Sequence, residues 1–117
     1  MSENHLVVKS KAFAVATIDL CEKLRERKRA ATIINQLLRS GTSIGANIHE
    51  ANYASSRADF VNKFQIALKE CYETEYWLNV FHEADIVSDD EFAEMYAQCS
   101  KIRTMLIASV NTAKKSD

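Results

Sequence analysis

The sequence predicts an all-α protein, an up-down-up-down four-helix bundle, on three observations. Its 117 residues include no proline and only two glycines, which removes the usual punctuation of strands, hairpins and long loops. Four stretches carry apolar residues at alternating steps of three and four, the period of one helix face. The segments between them are brief, and short connections force neighbouring helices antiparallel. A hydrophobic content of 47% fills one core at this length, so a single domain over residues 1–117 is expected.

The first helix is placed at about 6–25, with Leu6, Phe13, Thr17, Leu20 and Leu24 on one face, before the charged stretch "RERKR" interrupts the pattern. The second, about 30–53, carries Ile34, Leu37, Gly41, Ile44, Ile48 and Ala51 on its apolar stripe. Ser56 followed by Asp59 has the spacing of a capping box, in which a hydroxyl accepts an orphan backbone N–H while an acid reaches back. It opens the third helix, about 57–84. Ser88 with Glu91 gives the same signal for a fourth, about 89–114, whose stripe is Phe92, Met95, Cys99, Ile102, Leu106 and Val110. Helices of about 20 to 27 residues span about 30 to 40 Å. The chain shows no internal repeat and no low-complexity tract.

Gly41 and Gly45 sit inside helix two, where each costs about 1 kcal/mol relative to alanine. Two structural readings stand: a facing helix approaches closely along "SGTSIGA", or a turn splits the helix. A phosphate loop is excluded, because "GTSIG" is followed by Ala46 and Asn47 rather than by a lysine and a hydroxyl. Beside the apolar stripe runs a polar one, Gln36, Ser40, Ser43, Asn47 and Glu50, whose small uncharged members suit a partly buried seam. Helix three has two stripes. Phe60, Phe64, Ala67, Cys71, Thr74 and Leu78 fill the core; Ile66, Glu70, Glu73, Trp77, Val80 and Ala84 need cover of their own. Oligomerisation supplies that cover, or else the core face is wide with Trp77 at its rim. Tyr72 and Tyr76 beside Trp77 read as interface or rim residues rather than a cofactor box.

A net charge of -1 gives no overall attraction to phosphate or to an anionic membrane. Locally, Arg25, Arg27, Lys28, Arg29 and later Arg39 make a basic cluster opposed by Glu26 alone. "HEADIVSDDEFAE", His82 to Glu94, holds six acids and no lysine or arginine, and an up-down bundle brings it to the same end. The two either neutralise each other within the chain or face each other between subunits; the basic run also stands open to nucleic acid, though no aromatic residue is interleaved with it for base stacking. No apolar run reaches membrane-spanning length. Three cysteines without paired spacing, and no leader, fit a reduced cytoplasmic protein; Cys21, Cys71 and Cys99 lie on or beside apolar stripes and read as core thiols. Ser2, Ala46 and Asn79 stand three residues before His5, His49 and His82, so the Glu-x-x-His pattern of bundle metal sites is missing. No cofactor, metal, small-molecule substrate or catalytic residue is expected.

"LVVKSKAFAVATIDL", "LLRSGTSIGANIHEA" and "SRADFVNKFQIALKECYETEYWL" resemble the bacterial four-helix bundle protein family. It is also known as the ribosomal RNA intervening-sequence proteins, after members encoded within insertions in large-subunit ribosomal RNA genes. The resemblance runs through almost the whole chain. Its most specific parts are "SGTSIGAN" with Glu50, then Asp59 and Phe60 followed by Lys63, Ala67, Lys69, Glu70, Glu73, Tyr76, Trp77 and Leu78. It implies a four-helix protomer, commonly assembled as a ring-shaped homopentamer, with no established enzymatic activity. A distant relative is the accessory protein of diversity-generating retroelements, a basic pentameric barrel that binds a reverse transcriptase and nucleic acid; the net charge here departs from it.

The expectation is a non-enzymatic, self-associating cytoplasmic bundle with a scaffold role toward RNA or a nucleic-acid enzyme; the alternative is a protein–protein interaction module without nucleic-acid contact. Ser43, Asn47, Glu50, Lys63, Lys69, Glu70, Glu73 and Trp77 are expected at polar packing or subunit contact. Arg25, Arg27, Lys28 and Arg29 are the candidates for nucleic-acid contact.

Overall fold

Helix α1, Ser2–Glu26, leads into α2, Ala31–Ala51, then α3, Arg57–Glu83, and α4, Asp89–Lys115, in a computed structural model that describes residues 2–115. Each helix packs on the next in chain order and α4 returns to α1, so α1 stands diagonally across from α3, and α2 from α4. The bundle is a rod of 49 × 21 × 19 Å. Its α1–α4 seam is the thinnest of the four.

Burial follows the helical period. Leu6, Phe13, Thr17 and Leu24 of α1, Ile34, Leu37 and Ile44 of α2, Phe64, Ala67, Cys71 and Leu78 of α3, and Cys99, Ile102 and Leu106 of α4 are withdrawn from solvent, with Phe81 closing one end. Removing such side chains from water is the main stabilising contribution, about 1.5–3 kcal/mol for each large aliphatic or aromatic group. Phe92 is only partly buried, at the end of the α4 stripe.

α2 is unbroken from Ala31 to Ala51, so the glycines mark close approach and not a turn. A Cβ at Gly41 would stand 2.7 Å from Thr17 Cγ2, and one at Gly45 would stand 3.2 Å from the Ser10 carbonyl oxygen. Both neighbours belong to α1, whose Thr17 hydroxyl turns back to donate to the Phe13 carbonyl at 2.8 Å.

The helix ends explain the topology. At α4 the capping box is complete: the Ser88 hydroxyl accepts from Glu91 N–H at 3.1 Å while Glu91 Oε1 accepts from Ser88 N–H at 2.9 Å. At α3 the Ser56 hydroxyl accepts from Asp59 N–H at 3.1 Å, but the Asp59 carboxylate reaches one residue further back, to Ser55 N–H. α1 and α3 both stop with a residue in the left-handed region, Lys28 at φ 61° and Asp85 at φ 58°. In each the next N–H returns five residues, Arg29 to the Leu24 carbonyl and Ile86 to the Phe81 carbonyl, consuming the orphan acceptors of the last turn. Glycine usually takes that position, so neither stop was visible as a glycine signal.

Candidate interaction surfaces

The two glutamates of the second stripe of α3 have a partner in Arg39 of α2. Its guanidinium binds the Glu70 carboxylate at 3.3 Å and also binds Glu73, which in turn accepts from the Trp77 indole N–H at 3.1 Å. Hydrogen bonding to Arg39 and then to Trp77 holds Glu73 below the ordinary carboxylate range. Further along the same seam, Lys63 donates to Glu50 at 2.9 Å, and in the interior beside Arg39 and Glu73, Thr74 donates to the Ser40 hydroxyl at 3.0 Å. Asn47 turns onto its own helix, donating to the Ser43 carbonyl at 2.9 Å. Lys69 is exposed.

The structure thus brings Glu50 to Lys63 and Glu70, Glu73 and Trp77 together, all within one chain. Their polar atoms are engaged across or along the α2–α3 seam, where the Ser40 hydroxyl also accepts from Thr74. Arg39 does not join the basic stretch with which the sequence grouped it, because two turns of helix carry it away from the α1–α2 connection and two carboxylates hold it there.

At the α1–α2 end, Arg27 forms a two-pronged pair with Glu91, at 3.1 and 2.7 Å. This bond to Arg27 is the chief reason the Glu91 carboxyl falls from 4.5 to about 2, aided by its role in the capping box. The basic and acidic turns therefore meet within the chain at one point. Arg25 donates to the Asn35 side-chain oxygen at 2.7 Å, and His82 meets Asp89 at 2.7 Å while stacked on Phe92. Lys28 and Arg29 are exposed, as are Glu83, Asp85 and Asp90; none of these five forms an ion pair among the described residues.

Two apolar patches face water on diagonal helices. On α1, Val8, Val15 and Ile18 are 67%, 54% and 42% exposed, on the side turned away from Phe13 and Thr17. On α3, Tyr72 and Tyr76 are 51% and 59% exposed, with the Arg103 guanidinium 5.6 Å from the centre of the Tyr72 ring and Trp77 edge-on to Tyr76. The tyrosines stand out in the sequence, whereas the α1 patch went unnoticed there. Its signal was present: Val8, Val15 and Ile18 recur at steps of seven and three, opposite the buried stripe.

Between α3 and α4, Glu75 is nearly buried and accepts from Arg103 Nε at 2.7 Å. Nearby, the buried Cys99 thiol donates to the Cys71 carbonyl at 3.6 Å. A hydrogen bond with the Cys71 side chain and then burial raise the Cys99 pKa far above the ordinary thiol value, and burial, against the opposing charge of Arg25, lifts Cys21 to about 11, so neither offers a thiolate. Among the described residues no three histidine, cysteine or acidic side chains are placed to hold a metal ion. No helix among them is long and apolar enough to cross a membrane.

The fold and these surfaces define a class: an all-α four-helix bundle whose α2–α3 and α3–α4 seams carry interhelical ion pairs and whose outer faces retain apolar patches. Residues 2–108 match the 23S rRNA-intervening sequence protein family, and the chain belongs to that family. It is also similar to a crystal structure from Bacteroides thetaiotaomicron, a protein of unknown function from the S23 ribosomal protein family. The two are 42% identical with a TM-score of 0.92, over 95% of this chain and 99% of that one. Among curated proteins, none matches this chain.

Proposed function

We propose that this chain is a non-enzymatic, cytoplasmic helical bundle that works by self-association, as a ring of five subunits, and serves as a scaffold for RNA or a nucleic-acid enzyme. The observation that carries the reading is the pair of exposed apolar patches, Val8, Val15 and Ile18 on α1 and Tyr72 and Tyr76 on α3, left over once a complete core has formed. Apolar side chains clustered on the outside of a filled bundle favour a partner that removes them from water. The polar residues of the α2–α3 seam support a rigid protomer more directly than a subunit contact, since Arg39, Glu50, Lys63, Glu70 and Glu73 already satisfy one another.

The RNA part of the reading draws on the family and on Arg25, Lys28 and Arg29, three exposed cations at the α1–α2 turn. Opposing it are the net charge of -1 and the tie between Arg27 and Glu91, which favour a protein–protein module without nucleic-acid contact. Sedimentation of the purified chain across a concentration series, with nucleic acid followed by absorbance ratio, tests both. A discrete pentamer is the expected species, and a monomer at every concentration would refute self-association. Salt-sensitive RNA binding that Lys28→Glu with Arg29→Glu abolishes, at a protein concentration where sedimentation shows that variant still assembled, supports the scaffold reading; no binding at low salt supports the alternative.

A further inference from the structure

We propose that a second copy of this chain docks head to tail, the outer face of α1 in one copy lying alongside the outer face of α3 in the next. The inference rests on the self-association reading and names the surfaces that perform it. Val8, Val15 and Ile18 make an aliphatic patch; Tyr72 and Tyr76, with Arg103 beside them, make an aromatic one. The patches differ in chemistry and sit on helices that stand diagonally across the bundle. A two-fold contact would use the same patch on both partners and leave the other in water, whereas a head-to-tail contact covers one of each. Tyrosine, tryptophan and arginine are also the residue types that most often anchor protein interfaces.

Charge fixes the direction. α1 and α3 run the same way, and the Arg27–Glu91 pair confirms that their C-terminal turns share one end of the bundle. Parallel docking therefore sets Lys28 and Arg29 of one copy beside Glu83 and Asp85 of the next, joining charges that form no ion pair among the described residues. Antiparallel docking would instead bring the basic turn to the other end of the partner, where Arg57 begins α3 and Lys114 and Lys115 finish α4. Such complementarity sets orientation and encounter rate more than it adds affinity.

The test uses two variants of the full chain, each disabled on one face: Val15→Glu and Tyr76→Glu. Both positions are more than half exposed, and a far-UV circular dichroism spectrum like that of the natural chain with a cooperative melt, its midpoint lowered by the loss of association, confirms folding; Val15→Ser and Tyr76→Ser replace them if either does not fold. Each variant alone is expected to sediment as a monomer. Mixed in equal amounts they are expected to form a dimer and stop there, because Val15→Glu keeps its α3 face and Tyr76→Glu keeps its α1 face. Lys28→Glu with Arg29→Glu should weaken assembly at least about tenfold at low salt and less at high salt. Assembly of both single variants like the natural chain would overturn the assignment while leaving self-association standing. So would loss of assembly in Val15→Glu alone with no rescue on mixing, which would mark an α1-to-α1 contact. A monomeric natural chain would overturn the self-association reading itself.

Discussion

Replacing Gly41 by alanine places a methyl group 2.7 Å from Thr17 Cγ2, 2.9 Å from its hydroxyl oxygen and 3.3 Å from its Cβ. Carbon atoms in comfortable contact stand about 3.5–4.0 Å apart, so the overlap approaches about 1 Å. Thr17 has nowhere to go: it is fully buried, β-branched, and bound through its hydroxyl to the Phe13 carbonyl. Helix propensity alone favours alanine by about 1 kcal/mol. Overpacking of a filled site costs about 1–3 kcal/mol, and rotating Thr17 away would forfeit a buried hydrogen bond worth about 1 kcal/mol. The expected net result is a loss of about 1–2 kcal/mol, or roughly 4–8 °C in Tm for a domain near this size. Urea unfolding followed by far-UV circular dichroism, at one low protein concentration so that association does not contribute, measures it. Adding Thr17→Ala should recover much of the loss, giving a coupling of about 1–3 kcal/mol in the double-mutant cycle. Gly45→Ala, whose Cβ would meet the Ser10 carbonyl at 3.2 Å, should change stability less. If Gly41→Ala stabilises by the full propensity term and shows no coupling to Thr17, the close α1–α2 approach is refuted.

The other predictions concern helix ends and ion pairs. Ala30 occupies the N-cap of α2 in extended backbone, φ -62° and ψ 120°, with no side-chain cap, so Ala30→Asp should stabilise by about 1 kcal/mol, read as a rise in urea midpoint at unchanged slope. Because the Glu91 pKa is depressed in the folded state, its contribution is complete above 4.5 and fades as pH falls toward about 2; an acid titration of Tm should lose that segment in Glu91→Gln. Arg103→Ala strands the Glu75 carboxylate in a nearly buried position and should cost about 2–3 kcal/mol in chemical denaturation, whereas Glu75→Gln with Arg103→Met should cost clearly less.

Much of the fold was legible because helix period is a local property. Leu6, Phe13, Thr17, Ile34, Leu37, Phe64, Leu78, Cys99 and Leu106 are buried where counting by threes and fours puts them. The serines at positions 56 and 88 cap helices because a hydroxyl three residues before an N–H needs no distant partner. The stops at Lys28 and Asp85 escaped because neither side chain advertises a left-handed backbone; after Asp85 the chain turns so that Ile86 and Val87 are buried, a tertiary contact no local rule shows.

The candidate surfaces were legible in part, as residue types without partners. Glu70, Glu73 and Trp77 stood out as a stripe needing cover, yet sequence could not choose between a second subunit and the same chain. Arg39 pairs with the two glutamates because α2 crosses α3 at that height, a relation between residues more than 30 positions apart. The Arg27–Glu91 pair spans 64 positions and is equally invisible to any local rule.

By itself, then, the sequence determined the helices, their buried faces and two of their starts, since each depends on neighbours within one or two turns. Tertiary structure alone decided that Gly41 meets Thr17, that Arg39 pairs with the glutamates of α3, and which apolar residues the core leaves outside. Those outcomes depend on the distance and height at which helices cross, and the period of a single helix carries neither.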